Sequence, residues 1–293
     1  MTPAFPLRFS LVVATLGRVN ELDALLVSLA QQVGPNFEII VMDQNNDGRL
    51  DALLARHGET MSIRHVRSDI RMLSHARNLG LRLCRGEIIG FPDDDCLYPP
   101  GVLSTVAAAF ADNPDLGLFS GAMATPESSL GSGRWHPVPA TITRANVWIT
   151  AMSSALFLRR AVLDRIGGFD ERLGVGAVYG SGEETDLVVR AIDSGMRGEY
   201  DPGLQVVHPD KRLTAEAVAR AWSYGLGCGF VLGKQRFGWR VVATLMVRPL
   251  GGLVLGVLRG RFIEMRYYSA TFSGRLAGLR AGIRSAHNRA VGT

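Results

Sequence analysis

Through the first half of the chain, short apolar runs alternate with stripes of helical period. Phe9 to Thr15 is an apolar run of strand length, and after Asn20, read as a helix cap, Leu22, Leu25, Leu26 and Leu29 recur at i, i+3, i+4 and i+7. A second apolar run, Phe37 to Met42, ends at Asp43, and Leu50 to His57 reads as helix. Ile63 to Val66 predicts a third strand, Ser74 to Cys84 a helix, Glu87 to Phe91 a strand, Pro100 to Ala111 a helix, and Leu116 to Ser120 a strand. Strand and helix alternating in this way predict an α/β domain built on a mostly parallel central sheet flanked by helices. Such sheets bind ligands beyond the carboxyl ends of their strands, and Thr15, Asp43 and Asp93-Asp94-Asp95 all fall at those ends.

The aspartate triplet follows a buried-type run and precedes Pro99-Pro100, which read as the opening of a helix. Three adjacent carboxylates repel one another, and unpaired anions at a sheet rim are costly without a cation. An oxygen-rich cluster of this kind suits Mg²⁺ or Mn²⁺ and a phosphate-bearing ligand. The plainer alternative is an acidic turn in which Asp93 or Asp94 caps the following helix. No G-x-G-x-x-G follows the first strand, and neither a P-loop nor a G-x-S-x-G elbow occurs, so dinucleotide, P-loop and hydrolase readings fail.

With 293 residues, 47% of them hydrophobic, the chain can bury a large core, and disorder is excluded. The net charge of +5 is unevenly placed: from Val218 onward Glu264 is the only acid among many arginines. Cys84, Cys96 and Cys228 lack metal-ligand spacing and read as free thiols in a reducing compartment. Arg8 and the short run after it read as a first strand rather than a signal peptide, which implies a cytoplasmic active site. Residues Trp239 to Arg259 are apolar but interrupted by Arg248-Pro249 and by glycines, which predicts a poor membrane span and an interfacial or re-entrant element on anionic lipid. A core helix with a basic outer face is the alternative. The tail has no nucleic-acid reading motif, so no nucleic-acid partner is expected.

Val12 to Arg18, Val41 to Asp43, Ser74 to Gly80, the triplet, Ile166 to Glu171 and Gly182 to Leu187 together resemble family 2 glycosyltransferases of the GT-A fold, over about residues 8 to 210. The resemblance implies a catalytic domain over 1–210 and a basic helical region over 211–293. It implies an inverting hexosyl- or deoxyhexosyltransferase that uses a nucleoside diphosphate sugar, with UDP or dTDP favoured, and a saccharide or lipid-linked saccharide acceptor. Asp43 would meet the base, beside Thr15 and Arg18, and Arg77 the nucleotide or its phosphates, where a guanidinium forms charge-assisted bonds. Asp95 would be the direct metal ligand, Asp93 would reach ribose or metal, Asp94 the sugar or the metal through water, and His208 would complete a site for Mn²⁺ or Mg²⁺. Met42 stands where relatives usually carry a second acid.

An inverting transfer needs a general base on the acceptor side, and the family's Asp aligns with Glu184, with Glu183 next to it. Acids in a first helical turn also favour the dipole without catalysis. Gly174, Gly176, Gly180 and Gly182 around Tyr179 predict a mobile covering loop. Trp135, His136 and Trp148 are candidates for stacking on sugar, and the stretch from Thr125 to Asn146 is the expected seat of acceptor choice. Two other readings are an inactive relative that holds a nucleotide sugar or glycan, and a nucleotidyltransferase. The second should carry a basic glycine-rich loop near residue 15, where only Gly17-Arg18 stands.

Overall fold

The computed structural model describes residues 8–125, 134–208 and 213–291. Its first unit, Met1–Arg71, His75–Phe169 and Leu187–Asp210, contains the sheet. The first four strands are β1 (Phe9–Thr15), β2 (Phe37–Asp43), β3 (Ile63–Arg67) and β4 (Ile88–Gly90). They are followed by β5 (Leu116–Ala124), β6 (Ala140–Thr141), β7 (Leu156–Arg159) and β8 (Arg197–Val207). The sheet order is β3-β2-β1-β4-β7-β5-β8-β6. The β3-β2-β1-β4 set and the β5–β8 pair are parallel, while β7 and β6 run antiparallel to their neighbours. Helices α1 (Asn20–Ala30), α2 (Asp51–Gly58), α3 (Leu73–Leu81), α4 (Val102–Asp112), α5 (Arg160–Ile166) and α6 (Glu183–Asp193) complete the alternation.

Continuous apolar strands mark a sheet covered on both faces: every residue of β1 is buried, and Leu22, Leu25, Leu26 and Leu29 of α1 pack into the same core. Close helix–sheet approach is set by Gly80 of α3, where an added Cβ would lie 2.5 Å from a methyl of Val12. Local details differ from the expectations. Asn20 is the first helical residue rather than a cap, and α1 has no side-chain cap bond. Gly101, with φ of 91°, precedes α4, so the two prolines lie ahead of the helix rather than in its first turn.

The second unit comprises Met72–Ser74, Asp170–Asp186 and Lys211–Thr293. The expected domain boundary at 210 lies outside the described residues; the contact pattern draws two earlier segments into the tail's unit. Its helices are α7 (Ala215–Lys234), α8 (Trp239–Leu258) and α9 (Phe262–Val291). Gly225, Gly229 and Gly233 of α7 meet Gly274, Gly278 and Gly282 of α9. An added Cβ would come within 2.0 Å of a carbonyl oxygen at Gly229 and at Gly278, so only glycine permits this crossing.

The apolar run expected to be broken is one unbroken helix, α8, by length and composition long and apolar enough to cross a membrane. The reason lies opposite Pro249. Proline supplies no N–H to the carbonyl four residues back, Leu245 O, and the Arg275 guanidinium of α9 donates to that carbonyl instead.

Candidate active site

The parallel register sets Thr15 beside Asp43, and Asp43 beside Arg67, at the carboxyl ends of β1, β2 and β3. The chain leaves β4 through Phe91-Pro92 into the triplet. A two-way backbone pair between Leu97 and Val207, at 2.7 and 2.9 Å, ties the loop after the triplet to the end of β8. His208 follows at once, and its Nε2 lies 3.1 Å from Asp95 Oδ1. A carboxylate and an imidazole 113 positions apart in sequence are thereby joined at one strand-end rim.

Arg18 reaches the same carboxylates, with Nη1 2.5 Å from Asp94 and 2.7 Å from Asp95. The two acids respond differently. Burial pushes the Asp94 carboxyl up, and the nearby Arg18 and the Thr15 hydroxyl do not offset it. Burial acts on Asp95 too, but its bond to His208 and the charges of His208 and Arg18 outweigh it and hold Asp95 below the usual carboxylate range. Asp95 is therefore the acid best kept ionised, as a cation ligand must be. Asp95 and His208 offer adjacent oxygen and nitrogen donors of the kind Mn²⁺ accepts, and Asp93, a third exposed, is on the same loop. Among the described residues no three His, Cys, Asp or Glu side chains are gathered as a ready metal cluster.

Two other expected site residues, Asp43 and Arg77, are buried. Asp43 is fully buried; its Oδ1 accepts from the Asn45 backbone at 2.9 Å and side chain at 2.7 Å, and its Oδ2 lies 2.9 Å from His65 Nε2. Asn45 in turn accepts from the Gly17 N–H at 2.8 Å, binding the loop after β1 to the end of β2. The partly exposed His65 of β3, which sequence reasoning passed over, is thus held against Asp43. Arg77 is also buried, packed on the rings of Phe91 and Phe169 at 5.8 and 5.5 Å, and donates to Asp93 at 2.8 Å. It thereby ties α3 to the first carboxylate of the triplet.

In the second unit, Glu183 and Glu184 open α6 as expected. Glu183 is buried, with its carboxyl carbon 3.3 Å from where a Cβ on Gly174 would stand, whereas Glu184 is half-buried and nearer to solvent. The glycine segment before them, expected to be a mobile covering loop, makes contacts within its own unit. Gly174 N bonds Tyr179 O at 2.8 Å, Tyr179 stacks on Phe230 at 3.6 Å, and the Ser181 hydroxyl donates to Tyr224 O at 2.8 Å. Trp148 is half-buried, and His136 bonds Val138 O at 2.7 Å and packs on Tyr200. Of the expected acceptor stretch, residues 126–133 lie outside the described residues.

This sheet order, with its acidic strand-end loop, is the GT-A glycosyltransferase fold. A mannosyltransferase from Pyrobaculum calidifontis, solved with GDP-Man and Mn²⁺, superposes with a TM-score of 0.64 at 18% identity, over 99% of this chain and 88% of that one. S. aureus TarS, residues 1–349, gives 0.59 at 14% identity, over 98% and 92%. The sequence profile described as Glycosyl transferase family 2 matches residues 10–163, and the chain belongs to that family. A pre-mycofactocin glycosyltransferase of Mycobacterium tuberculosis is 28% identical over 254 residues, covering 73% of this chain and 52% of that protein. The chain thus spans about half the length of that relative.

Proposed function

We propose that this chain is an inverting glycosyltransferase that moves a sugar from a nucleoside diphosphate to a hydroxyl of a saccharide or lipid-linked acceptor. The observation that carries the reading is the Asp95–His208 pair at the strand-end rim, with Arg18 and Thr15 beside it. Asp95 and His208, joined by Asp93, would hold Mn²⁺ or Mg²⁺, which when bound offsets charge on the departing diphosphate. Asp43 acts here through His65 and Asn45, orienting the polar groups that face the nucleotide, and Arg77 holds Asp93 in place.

Glu184 takes the proton from the acceptor hydroxyl as that oxygen bonds to the anomeric carbon and the sugar–phosphate bond breaks, which inverts the configuration. Its greater exposure, against the buried Glu183, supports this assignment. A nucleoside diphosphate sugar as donor is supported by GDP-Man in the mannosyltransferase and by UDP-GlcNAc in a TarS complex. UDP- and dTDP-sugars are the first to test. The arginines of the tail and the exposed apolar side of α8 support peripheral attachment to an anionic membrane, where a lipid-linked acceptor would be met.

The test is donor turnover by Glu184→Gln and Glu183→Gln. Loss of a general base predicts a fall of about a hundredfold or more in kcat for Glu184→Gln with nucleotide binding retained. If Glu183→Gln alone is crippled, the base is the neighbouring residue; if both turn over normally, the assignment fails.

A further inference from the structure

Lys234 is one of two lysines in the chain, and it ends a stretch of α7 in which Phe230, Val231 and Leu232 are buried. It is buried as well. Its Nζ lies 2.5 Å from Asp186 Oδ1 and 2.8 Å from Asp170 Oδ2. Asp186 is fully buried and accepts a further bond from Gln235 at 2.6 Å, while Asp170 pairs with Arg172 at 2.7 Å. Burial alone would raise the Asp170 carboxyl, yet Arg172 and Lys234 hold it well below the usual range. Removing one member of such a cluster leaves an uncompensated buried charge, so the cluster admits few other arrangements.

The two aspartates bracket one segment. Asp170 stands before the glycine loop, and Asp186 lies in the first turn of α6, two residues after Glu184. A single ammonium therefore fastens both ends of the stretch that carries the proposed base. At about 100° per residue, Asp186 and Glu184 are roughly 200° apart around the helix, so drawing Asp186 inward to Lys234 turns Glu184 outward. Lys234 is itself held in place, because a Cβ on the adjacent Gly233 would lie 2.5 Å from Leu279 O of α9.

We propose that Lys234 is a positioning residue for the transfer reaction: through Asp170 and Asp186 it sets the rotation of the first turn of α6 and so presents Glu184 to the acceptor. The proposal rests on the reading of Glu184 as base. It makes the tail a working part of the catalytic machinery rather than an attachment alone.

The experiment compares full-length Lys234→Met, Lys234→Arg and Glu184→Gln with wild type. One readout is release of nucleoside diphosphate from UDP-GlcNAc and GDP-mannose with Mn²⁺, water serving as acceptor. The other is amide hydrogen exchange over residues 174–186. For Lys234→Met we expect kcat to fall by about tenfold or more with the donor KM within about threefold, much of the rate restored in Lys234→Arg, and exchange raised selectively over 174–186. Should Lys234→Met not fold, Lys234→Gln/Asp186→Asn, neutral for neutral, takes its place. Wild-type kcat, unchanged exchange over 174–186, or a uniform loss of protection with kcat and KM failing together would overturn the proposal. If Glu184→Gln turns over like wild type, it is the base reading that fails, a result distinct from Lys234→Met being active while Glu184→Gln is crippled.

Discussion

Arg18 is the counter-cation of Asp94 and Asp95, and a metal ion arriving at Asp95 must compete with it. The perturbation is Arg18→Ala. Two contacts, at 2.5 Å to Asp94 and 2.7 Å to Asp95, would be lost. The Arg18 side chain is 43% exposed, so water screens both, and each is worth ~0.2–1 kcal/mol rather than the bare Coulomb value. Together they oppose an incoming cation by roughly 0.5–2 kcal/mol, and at about 1.4 kcal/mol per tenfold this predicts Mn²⁺ affinity about 2- to 30-fold tighter in the variant. Nucleoside diphosphate should respond in the opposite sense, because its phosphates lose a guanidinium partner. Titration of Mn²⁺ alone, with free ion counted by electron paramagnetic resonance, gives the first number; titration of UDP at saturating Mn²⁺ gives the second. Asp95→Asn is the control that should lose Mn²⁺ binding. Mn²⁺ affinity unchanged or weakened in Arg18→Ala would refute the competition.

Two further outcomes are expected. Val247, Val254 and Leu258, spaced i, i+7 and i+11 on α8, are 61%, 57% and 76% exposed, so Val254→Asp/Leu258→Asp should weaken sedimentation with anionic vesicles, and added salt should weaken it further through the arginines; full-length protein remaining in the supernatant at low salt refutes membrane attachment. At the proline of α8, Arg275→Met should destabilise the protein by about 1–3 kcal/mol by orphaning Leu245 O, but by less in a Pro249→Ala background that supplies the missing N–H; additive costs in a denaturation cycle would sink the explanation.

The strand-end rim was legible in the sequence because each part of it is local. Apolar runs of strand length end at Thr15, at Asp43 and just before Asp93, and the carboxyl-end rule for parallel sheets does the rest. The partner of Asp43 was not legible, because it depends on sheet order, whereas His208 beside Asp95 was expected through the family resemblance and not from strand pattern. His65 reaches Asp43 only because β3 lies beside β2, and His208 reaches Asp95 only because Leu97 pairs with Val207.

The same limit explains α8. From sequence, Arg248-Pro249 breaks a helix, since proline leaves a carbonyl without its donor; the donor that repairs it, Arg275, sits 30 positions away from Leu245 on another helix. Arg275 counts toward the tail's basic character in composition, yet in the fold it completes a backbone hydrogen bond. Lys234, likewise counted as tail charge, is committed to Asp170 and Asp186. Net charge therefore overstates what the tail can offer a membrane. It also follows that deleting the tail is a poor test of attachment, since it would strip the buried Asp186 of its cation and leave Asp170 with Arg172 alone, whereas point changes on the outer face of α8 leave that cluster in place.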